Sequence, residues 1–300
     1  MNWRDKLQYQ YNMAGVTEKL IAVNVVVFAF FLLLQLFFFL FGLPEGILSE
    51  ITRWLIFPDH LDEFVFRPWT IVTYAFMHAG FWHIIGNMII LYFSGRFFLN
   101  FFSAKKMLNY YFLGAIAGAV LFMLSYNIFP AFASTGRNHL IGASASVMAI
   151  LVGVAAQAPN MQLKFFMFDI KLWWIAAFFV IKDLVFIPIE NPGGHIAHLG
   201  GAALGYLYTI QLHKGNDIGA WFESMVDGIV GWFVPGKKKP FKKVYRNKKT
   251  KKASYKTKSS KDSKNKEQKK VDVILDKISK SGYESLSKSE KDYLFNAGKD

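Results

Sequence analysis

The sequence predicts an all-α, polytopic membrane protein in which six transmembrane helices form a bundle. Two observations predict this class. Of the 300 residues, 53% are hydrophobic and 17% are aromatic, and the apolar residues collect in long runs separated by short polar segments. Such an apolar fraction exceeds that of ordinary soluble domains. The sequence contains no cysteine, which excludes disulfides, thiolate metal ligands and thiol catalysis.

The first predicted span follows a polar N-terminal segment, residues 1–19, and is too long for the core of a signal peptide. A long loop, 43–70, comes next and contains an amphipathic piece suited to the membrane interface. Together the spans predict a membrane domain over residues 20–215. The six spans are predicted at residues 20–42, 81–98, 108–129, 142–156, 172–187 and 194–212.

Charge predicts the orientation of the bundle. Lys and Arg are concentrated on the side of the membrane shared by both termini, whereas the other side carries more acidic residues. The positive-inside rule therefore predicts that both termini are cytoplasmic. The expected location is a bacterial inner or plasma membrane.

The net charge of +14 belongs to the C-terminal part of the chain. Residues 1–236 carry 13 Lys and Arg against 13 Asp and Glu, whereas residues 237–300 carry 22 against 8. After a juxtamembrane segment, 216–236, we expect a Lys-rich disordered linker at 237–270. The periodic apolar residues of 271–300 predict a small helical pair, whose second helix begins with a capping box.

The basic tail has two conceivable partners. It directly follows a membrane domain on the cytoplasmic side, where anionic lipid attracts each Lys by ~1 kcal/mol near the surface. Basic runs also bind nucleic acid, but lipid or simple solvation is the better explanation here, and nucleic acid is an unlikely partner.

Three polar clusters are predicted to lie at one depth, because the second, fourth and sixth spans run in the same direction. His83 and Asn87 lie four residues apart on one face of the second span. Ser144 opens the fourth span and His198 lies near the start of the sixth. Polar groups inside a bilayer are costly unless partnered. A serine in a first helical turn also lies among unpaired N–H groups, where an oxyanion would be stabilised.

Small residues predict how two of these spans approach each other. Gly201 and Gly205 of the sixth span form a Gly-xxx-Gly pattern, which allows backbones to pack closely. His198 is one turn from Gly201 and would be directed at Ser144. The fourth span offers a matching groove of small residues, Gly142, Ala145, Ala149 and Gly153.

The sequence resembles the rhomboid family of intramembrane serine proteases in three motifs that occur in family order. The motifs are HIIGN at 83–87, GAS at 142–144 and AHLGGAALG at 197–205. The resemblance covers about residues 15–215. It implies that Ser144 is the nucleophile and His198 the general base.

The same resemblance implies that His83 and Asn87, with the backbone N–H of Ser144, are the oxyanion donors. It also implies transmembrane protein substrates, and neither a cofactor nor a metal.

Three positions depart from the family pattern. The Trp-Arg pair of the first loop appears as Trp69-Thr70, with Arg67 two residues earlier. Ala145 replaces the glycine that commonly follows the serine, and Met148 stands where many members have an aromatic residue beneath the histidine. These departures concern the anchoring of the loop, the fit around the serine and the positioning of the histidine.

Other interpretations of the same residues stay open. Ser144 alone would more often be a helix-packing serine, and His83 with Asn87 an interhelical hydrogen-bonding pair. His78 and His195 are expected to be structural or interfacial. A metal site made by the four histidines His78, His83, His195 and His198 is disfavoured, because no carboxylate or thiolate is expected at that depth.

The Lys182-Asp183 pair is unusual inside the fifth span. It predicts an internal ion pair or a Lys side chain that snorkels outward. A further alternative is that Asp183 orients His198 as the third member of a triad. Because the resemblance implies a dyad, we expect Asp183 to be structural.

The leading hypothesis is an intramembrane serine endopeptidase that cleaves transmembrane segments, with the aromatic fifth span as a lateral gate. The alternative is a non-catalytic rhomboid-like binder or chaperone of membrane helices. Such proteins typically lose the serine or the histidine, and this sequence keeps both. A transporter is disfavoured, because the sequence shows no inverted repeat and no paired broken helices.

Overall fold

A computed structural model describes residues 2–165, 168–233 and 261–297. The chain divides into two units, residues 1–237 and 238–300, and each is described by itself. Helices dominate both units, so the predicted all-α class is confirmed.

The first unit begins with two helices and a structured loop. In order, these are α1 (Trp3–Met13), α2 (Val16–Leu40), α3 (Glu45–Arg53), β1 (Phe57–Pro58), α4 (Leu61–Phe66), α5 (Thr70–Thr73) and a 3₁₀ turn (Tyr74–Phe76). The bundle continues with α6 (Phe81–Phe98), α7 (Ala104–Ile128), a 3₁₀ turn (Pro130–Phe132), β2 (His139–Leu140), α8 (Ser144–Gln157), β3 (Gln162–Phe165), β4 (Phe168–Lys171), α9 (Leu172–Phe186), α10 (Pro192–His213) and α11 (Ala220–Phe233).

Six of these helices, α2 and α6 to α10, lie where the six spans were predicted. α6 has the predicted bounds, and the ends of the others differ by at most four residues. The hairpin of β3 and β4 was not predicted. Its strands are antiparallel, with Gln162 opposite Lys171.

The helices differ in their capacity to cross a membrane alone. By length and composition, two described helices, α2 and α7, are long and apolar enough, and the bent pair 70–76 and α6 could make a third span. α8 has only 14 residues, or about 21 Å of rise. Because α6, α7, α9 and α10 all pack against it, α8 meets protein on most sides and needs neither the length nor the uniform apolarity of a lipid-facing helix.

Glycines bring α8 and α10 into backbone contact. A Cβ at Gly201 would collide with the carbonyl oxygen of Ala145, and a Cβ at Gly205 with that of Ala149. These contacts leave no room for side chains between the two helices. Gly142, which was expected to belong to the same groove, instead faces α6.

The first loop is held by a buried charge cluster around Glu63. This carboxylate accepts hydrogen bonds from Arg53 at 2.9 Å and from Arg67 and Arg137. Burial opposes its ionisation, but the hydrogen bonds from Arg137 and Arg53 prevail and lower the pKa of Glu63 to about 2. Arg67 also donates to the Arg53 carbonyl oxygen at 2.5 Å. The Thr70 hydroxyl in turn donates to the carbonyl oxygen of Arg67 at 2.6 Å. The loop is thus anchored without an arginine at position 70.

Strand pairing ties this loop to the segment that leads into α8. β1 is antiparallel to β2, with Phe57 opposite Leu140. The backbone N–H of Asn138 also donates to Asp59 Oδ2 at 2.8 Å. The loop therefore helps to position Ser144, which begins α8 four residues after Leu140.

The second unit contains α12 (Lys261–Ser281), a 3₁₀ turn (Tyr283–Ser285) and α13 (Lys288–Ala297). α12 starts inside the run 237–270 that was expected to be disordered, so that expectation is wrong for residues 261–270. Residues 261–270 are rich in Lys, Glu and Gln, which are good helix formers, and the segment contains neither Gly nor Pro. The remainder, 237–260, lies outside the described residues. The predicted capping box is present, since the Ser287 N–H donates to Glu290 Oε2 at 2.8 Å.

Gly205→Ala is expected to lower the midpoint of thermal unfolding, because the added Cβ would collide with the Ala149 carbonyl oxygen. Overpacking of this kind costs about 1–3 kcal/mol. Gly228→Ala in α11 is the matched control, since a Cβ there has nothing within 4 Å. Equal midpoints for the two variants in the same detergent would contradict the backbone contact.

Acid is expected to destabilise the first unit through Glu63. Its pKa is about 2 in the folded protein against an ordinary value of 4.5, so its contribution is complete above pH 4.5 and is lost as the pH falls towards 2. Glu63→Gln should lack this part of the acid dependence of the thermal midpoint. Glu50→Gln, at a side chain that is 59% exposed on the same loop, should retain it. An unchanged acid profile in Glu63→Gln would refute the assignment.

Candidate functional site

Ser144 and His198 meet where α8 and α10 begin. The Oγ of Ser144 lies 2.6 Å from Nε2 of His198. Ser144 is the first residue of α8, so the backbone N–H groups of that turn lack intrahelical partners. The chain turns into the helix at Gly142, whose φ of +121° disfavours any other residue.

The His83 ring lies against Gly142, close to the Ser144 hydroxyl. A Cβ at Gly142 would lie 2.6 Å from His83 Nε2 and 3.7 Å from Ser144 Oγ, so only glycine lets the three groups approach. The Ala79 backbone N–H donates to His83 Nδ1 at 3.4 Å. Because Nδ1 accepts, the proton of the neutral ring is on Nε2, which makes this nitrogen a donor beside Ser144.

Asn87 is buried one turn along α6 from His83. Its Nδ2 donates to the His83 carbonyl oxygen at 3.0 Å. The amide group has a second hydrogen, which is available to a ligand. The structure thus brings Ser144, His198 and His83 into one cluster, with Asn87 adjoining it on α6.

Asp183 lies behind His198 and is fully buried. Its Oδ1 is 2.8 Å from Nδ1 of His195, 3.0 Å from Nδ1 of His198 and 3.2 Å from Nζ of Lys182. Our expectation that no carboxylate reaches this depth is wrong. The ion pair with Lys182 is present, but it is only part of the contacts of Asp183.

A sequence signal for this placement existed. Asp183 is three residues from the end of α9, and only residues 187–191 separate α9 from α10. A short connection between antiparallel helices places the end of one beside the start of the next, where His195 lies in the first turn.

Asp183, His195 and His198 offer potential ligand atoms within 4.8 Å of one another. Their chemistry resembles that of a His₂-carboxylate metal site. The ammonium group of Lys182, however, is 3.2 Å from the shared carboxylate oxygen and opposes the binding of a cation. Both imidazole rings are hydrogen-bonded to the carboxylate as they stand.

An apolar groove of about 880 Å³ lies between α6 and α9. The fifth span was expected to form a lateral gate through its aromatic residues Trp173, Trp174, Phe178 and Phe179, and the last three of these line this groove. Trp173 stacks on Trp174, with ring centroids 3.9 Å apart. Lys164 of the hairpin lies in the same lining.

Fold and site together define a class: a polytopic helical membrane protein with a serine–histidine pair at the start of its central helix. Residues 65–215 match the family model of the Rhomboid domain. The chain therefore belongs to the rhomboid family, and the expected family and membrane-bundle fold are confirmed. Residues 260–296 match a second model, a family of unknown function (DUF6576).

Several curated proteins are similar to this chain. RHOMBOID-like protein 12, mitochondrial, of Arabidopsis thaliana is 30% identical over 162 residues, which are 50% of this chain and 48% of that protein. Rhomboid protein 1, mitochondrial, of Saccharomyces cerevisiae is 28% identical over 51% of this chain and 44% of its own length. Rhomboid-like protease 3 of Toxoplasma gondii is 27% identical over 54% of this chain and 59% of its own length. The chain thus matches about half the length of these relatives.

Gly142→Ala is expected to lower the thermal midpoint, because its Cβ would press on the His83 ring and its φ is unfavourable. Backbone strain of this kind costs about 1–3 kcal/mol. Gly136→Ala is the control, since Gly136 also has a positive φ but an added Cβ meets nothing within 4 Å. If both variants lose the same stability, the contact between Gly142 and His83 does not constrain the site.

Proposed function

We propose that this protein is an intramembrane serine endopeptidase that cleaves transmembrane segments of membrane proteins. The observation that carries the proposal is the 2.6 Å contact between Ser144 Oγ and His198 Nε2 at the start of the central helix. A family relationship to a protein named Rhomboid-like protease 3 supports the same reaction.

The reaction would proceed through an acyl-enzyme. His198 Nε2 takes the proton of Ser144 as Oγ attacks the scissile carbonyl carbon, and then returns it to the leaving amine. Water activated by the same nitrogen hydrolyses the ester. The side chain of His198 is 18% exposed, so part of the imidazole is accessible from outside the bundle.

Three groups are proposed as donors to the developing oxyanion at Ser144. The Nε2–H of His83, the amide of Asn87 and the backbone N–H of Ser144 would serve together. Removing one such donor from a serine protease typically costs 10²–10³ in kcat. Gly142 keeps His83 close enough to contribute.

The groove between α6 and α9 suits the substrate. Its lining is apolar and aromatic, as a transmembrane segment requires. A fully hydrogen-bonded helix hides its carbonyl groups, so the segment must unwind near the serine before it can react. The lining of the groove includes neither Ser144 nor His198, so we propose that the segment enters beside α9 and extends from the groove to the serine.

We further propose a bacterial inner or plasma membrane as the location, with both termini in the cytoplasm. The distribution of Lys and Arg supports this orientation. The basic residues after the bundle would then face anionic lipid.

Ser144→Ala is expected to abolish cleavage of a single-span substrate in reconstituted vesicles while the thermal midpoint stays nearly constant. His198→Ala should do the same. The matched control is Ser146→Ala, because the buried Ser146 hydroxyl has no hydrogen-bond partner among the described residues and its loss should leave cleavage intact. Undiminished cleavage by Ser144→Ala would refute the proposal.

A fluorophosphonate probe separates the enzyme from a non-catalytic binder of membrane helices. The probe should label the unaltered protein and Ser146→Ala, but neither Ser144→Ala nor His198→Ala. A folded, unaltered protein that neither reacts with the probe nor cleaves any substrate would favour the binder.

A further inference from the structure

We infer that Asp183 is a positioning residue for His198, so that Ser144, His198 and Asp183 act as a triad. The inference rests on the proposed function and adds a third member to the pair. It starts from the contact between Asp183 Oδ1 and His198 Nδ1, which measures 3.0 Å.

The two ring nitrogens of His198 are engaged on opposite sides. Nε2 lies 2.6 Å from the Ser144 hydroxyl and Nδ1 lies 3.0 Å from the carboxylate. An ionised carboxylate only accepts hydrogen bonds, so Asp183 requires the proton of the neutral ring to be on Nδ1. Nε2 is then left with its lone pair towards Ser144, which is the tautomer that a general base needs.

The carboxylate also suits the charged intermediate. When the Ser144 proton moves to Nε2, the ring of His198 becomes a cation while Asp183 stays ionised. A buried negative charge 3.0 Å from Nδ1 stabilises that cation, because Coulomb attraction is stronger away from bulk solvent. No proton is transferred to Asp183, and the Oγ–H bond of Ser144 is the bond that breaks.

Asp183 is held in place from two further directions. Nδ1 of His195 lies 2.8 Å from Oδ1, and the ammonium group of Lys182 lies 3.2 Å from the same atom. His195 is itself packed against Phe186, with ring centroids 5.9 Å apart. These partners fix the acid, which in turn fixes the orientation of the His198 ring.

The unpaired oxygen of Asp183 argues against a purely structural acid. Oδ2 is buried and has no hydrogen-bond partner among the described residues, whereas Oδ1 has three. A buried ion that serves only stability is often replaceable by apolar residues without loss. Here Lys182, His195 and His198 all contact the same oxygen of the carboxylate.

The test compares Asp183→Asn and Asp183→Glu with the unaltered protein in reconstituted vesicles. An asparagine amide at this position can donate to Nδ1 and so favours the wrong tautomer, with the proton on Nε2. In a serine protease triad such a change lowers kcat by about 10⁴-fold. We expect Asp183→Asn to lower kcat by on the order of 10²-fold or more with little change in KM, and Asp183→Glu to recover part of the loss.

A matched control separates positioning from stability. Thr209 is a buried polar residue of α10 and donates to the carbonyl oxygens of Gly153 and Gly205. It lies roughly 16 Å along the helix from His198. Thr209→Val should lower the thermal midpoint without the loss in kcat, and the fluorophosphonate labelling rate of Asp183→Asn should fall with its kcat.

Either of two results with a folded Asp183→Asn protein would overturn the inference. One is an Asp183→Asn protein whose kcat stays within about twofold of the unaltered protein while Ser144→Ala is inactive. The other is a fall in kcat that Thr209→Val reproduces at the same loss of stability. If Asp183→Asn does not fold, an Asp183→Glu protein that folds but is as inactive as Ser144→Ala likewise contradicts recovery by the conservative variant. Cleavage by Ser144→Ala would instead refute the proposed function itself.

Discussion

The close approach of α8 and α10 is the constraint on which the candidate site depends. Gly201 lies against the Ala145 carbonyl oxygen, so the two backbones are nearer than side chains would permit. Ser144 precedes Ala145 by one residue and His198 precedes Gly201 by one turn. The contact that packs the helices therefore also brings the hydroxyl and the imidazole to 2.6 Å. A glycine at position 201 is thus required both for the packing of α8 against α10 and for the contact between Ser144 and His198.

Local patterns predicted the helices well, because hydrophobic runs and motifs reflect neighbouring residues. Ser144, His198 and His83 were identified from polar residues at matching depths in apolar spans, and the structure brings them together. The pairing of β1 with β2 could not be predicted in this way, since Phe57 and Leu140 are far apart in the sequence. The anchoring of the first loop through Glu63 depends likewise on Arg137, which is distant in the chain.

Asp183 shows the other limit of sequence patterns. Its ion pair with Lys182 is a contact between adjacent residues, and the sequence predicted it as one of three alternatives. Its contacts with His195 and His198 depend on which face α9 turns towards α10, and a helix with apolar residues all round does not reveal that face. The Lys-rich start of α12 shows a related problem, because a charged composition is compatible with both disorder and helix.

The peripheral position of α9 has a mechanical consequence. Only Leu172, Ala176 and Asp183 of this helix are buried, and its first residue is tied back by a 2.8 Å hydrogen bond from its N–H to the Met161 carbonyl oxygen. A transmembrane segment that pushed the C-terminal end of α9 outwards would move Asp183 away from the imidazole of His198. His198 would then be aligned for proton transfer only after α9 had returned to its original position. Bond cleavage would follow the return of α9, not the entry of the segment.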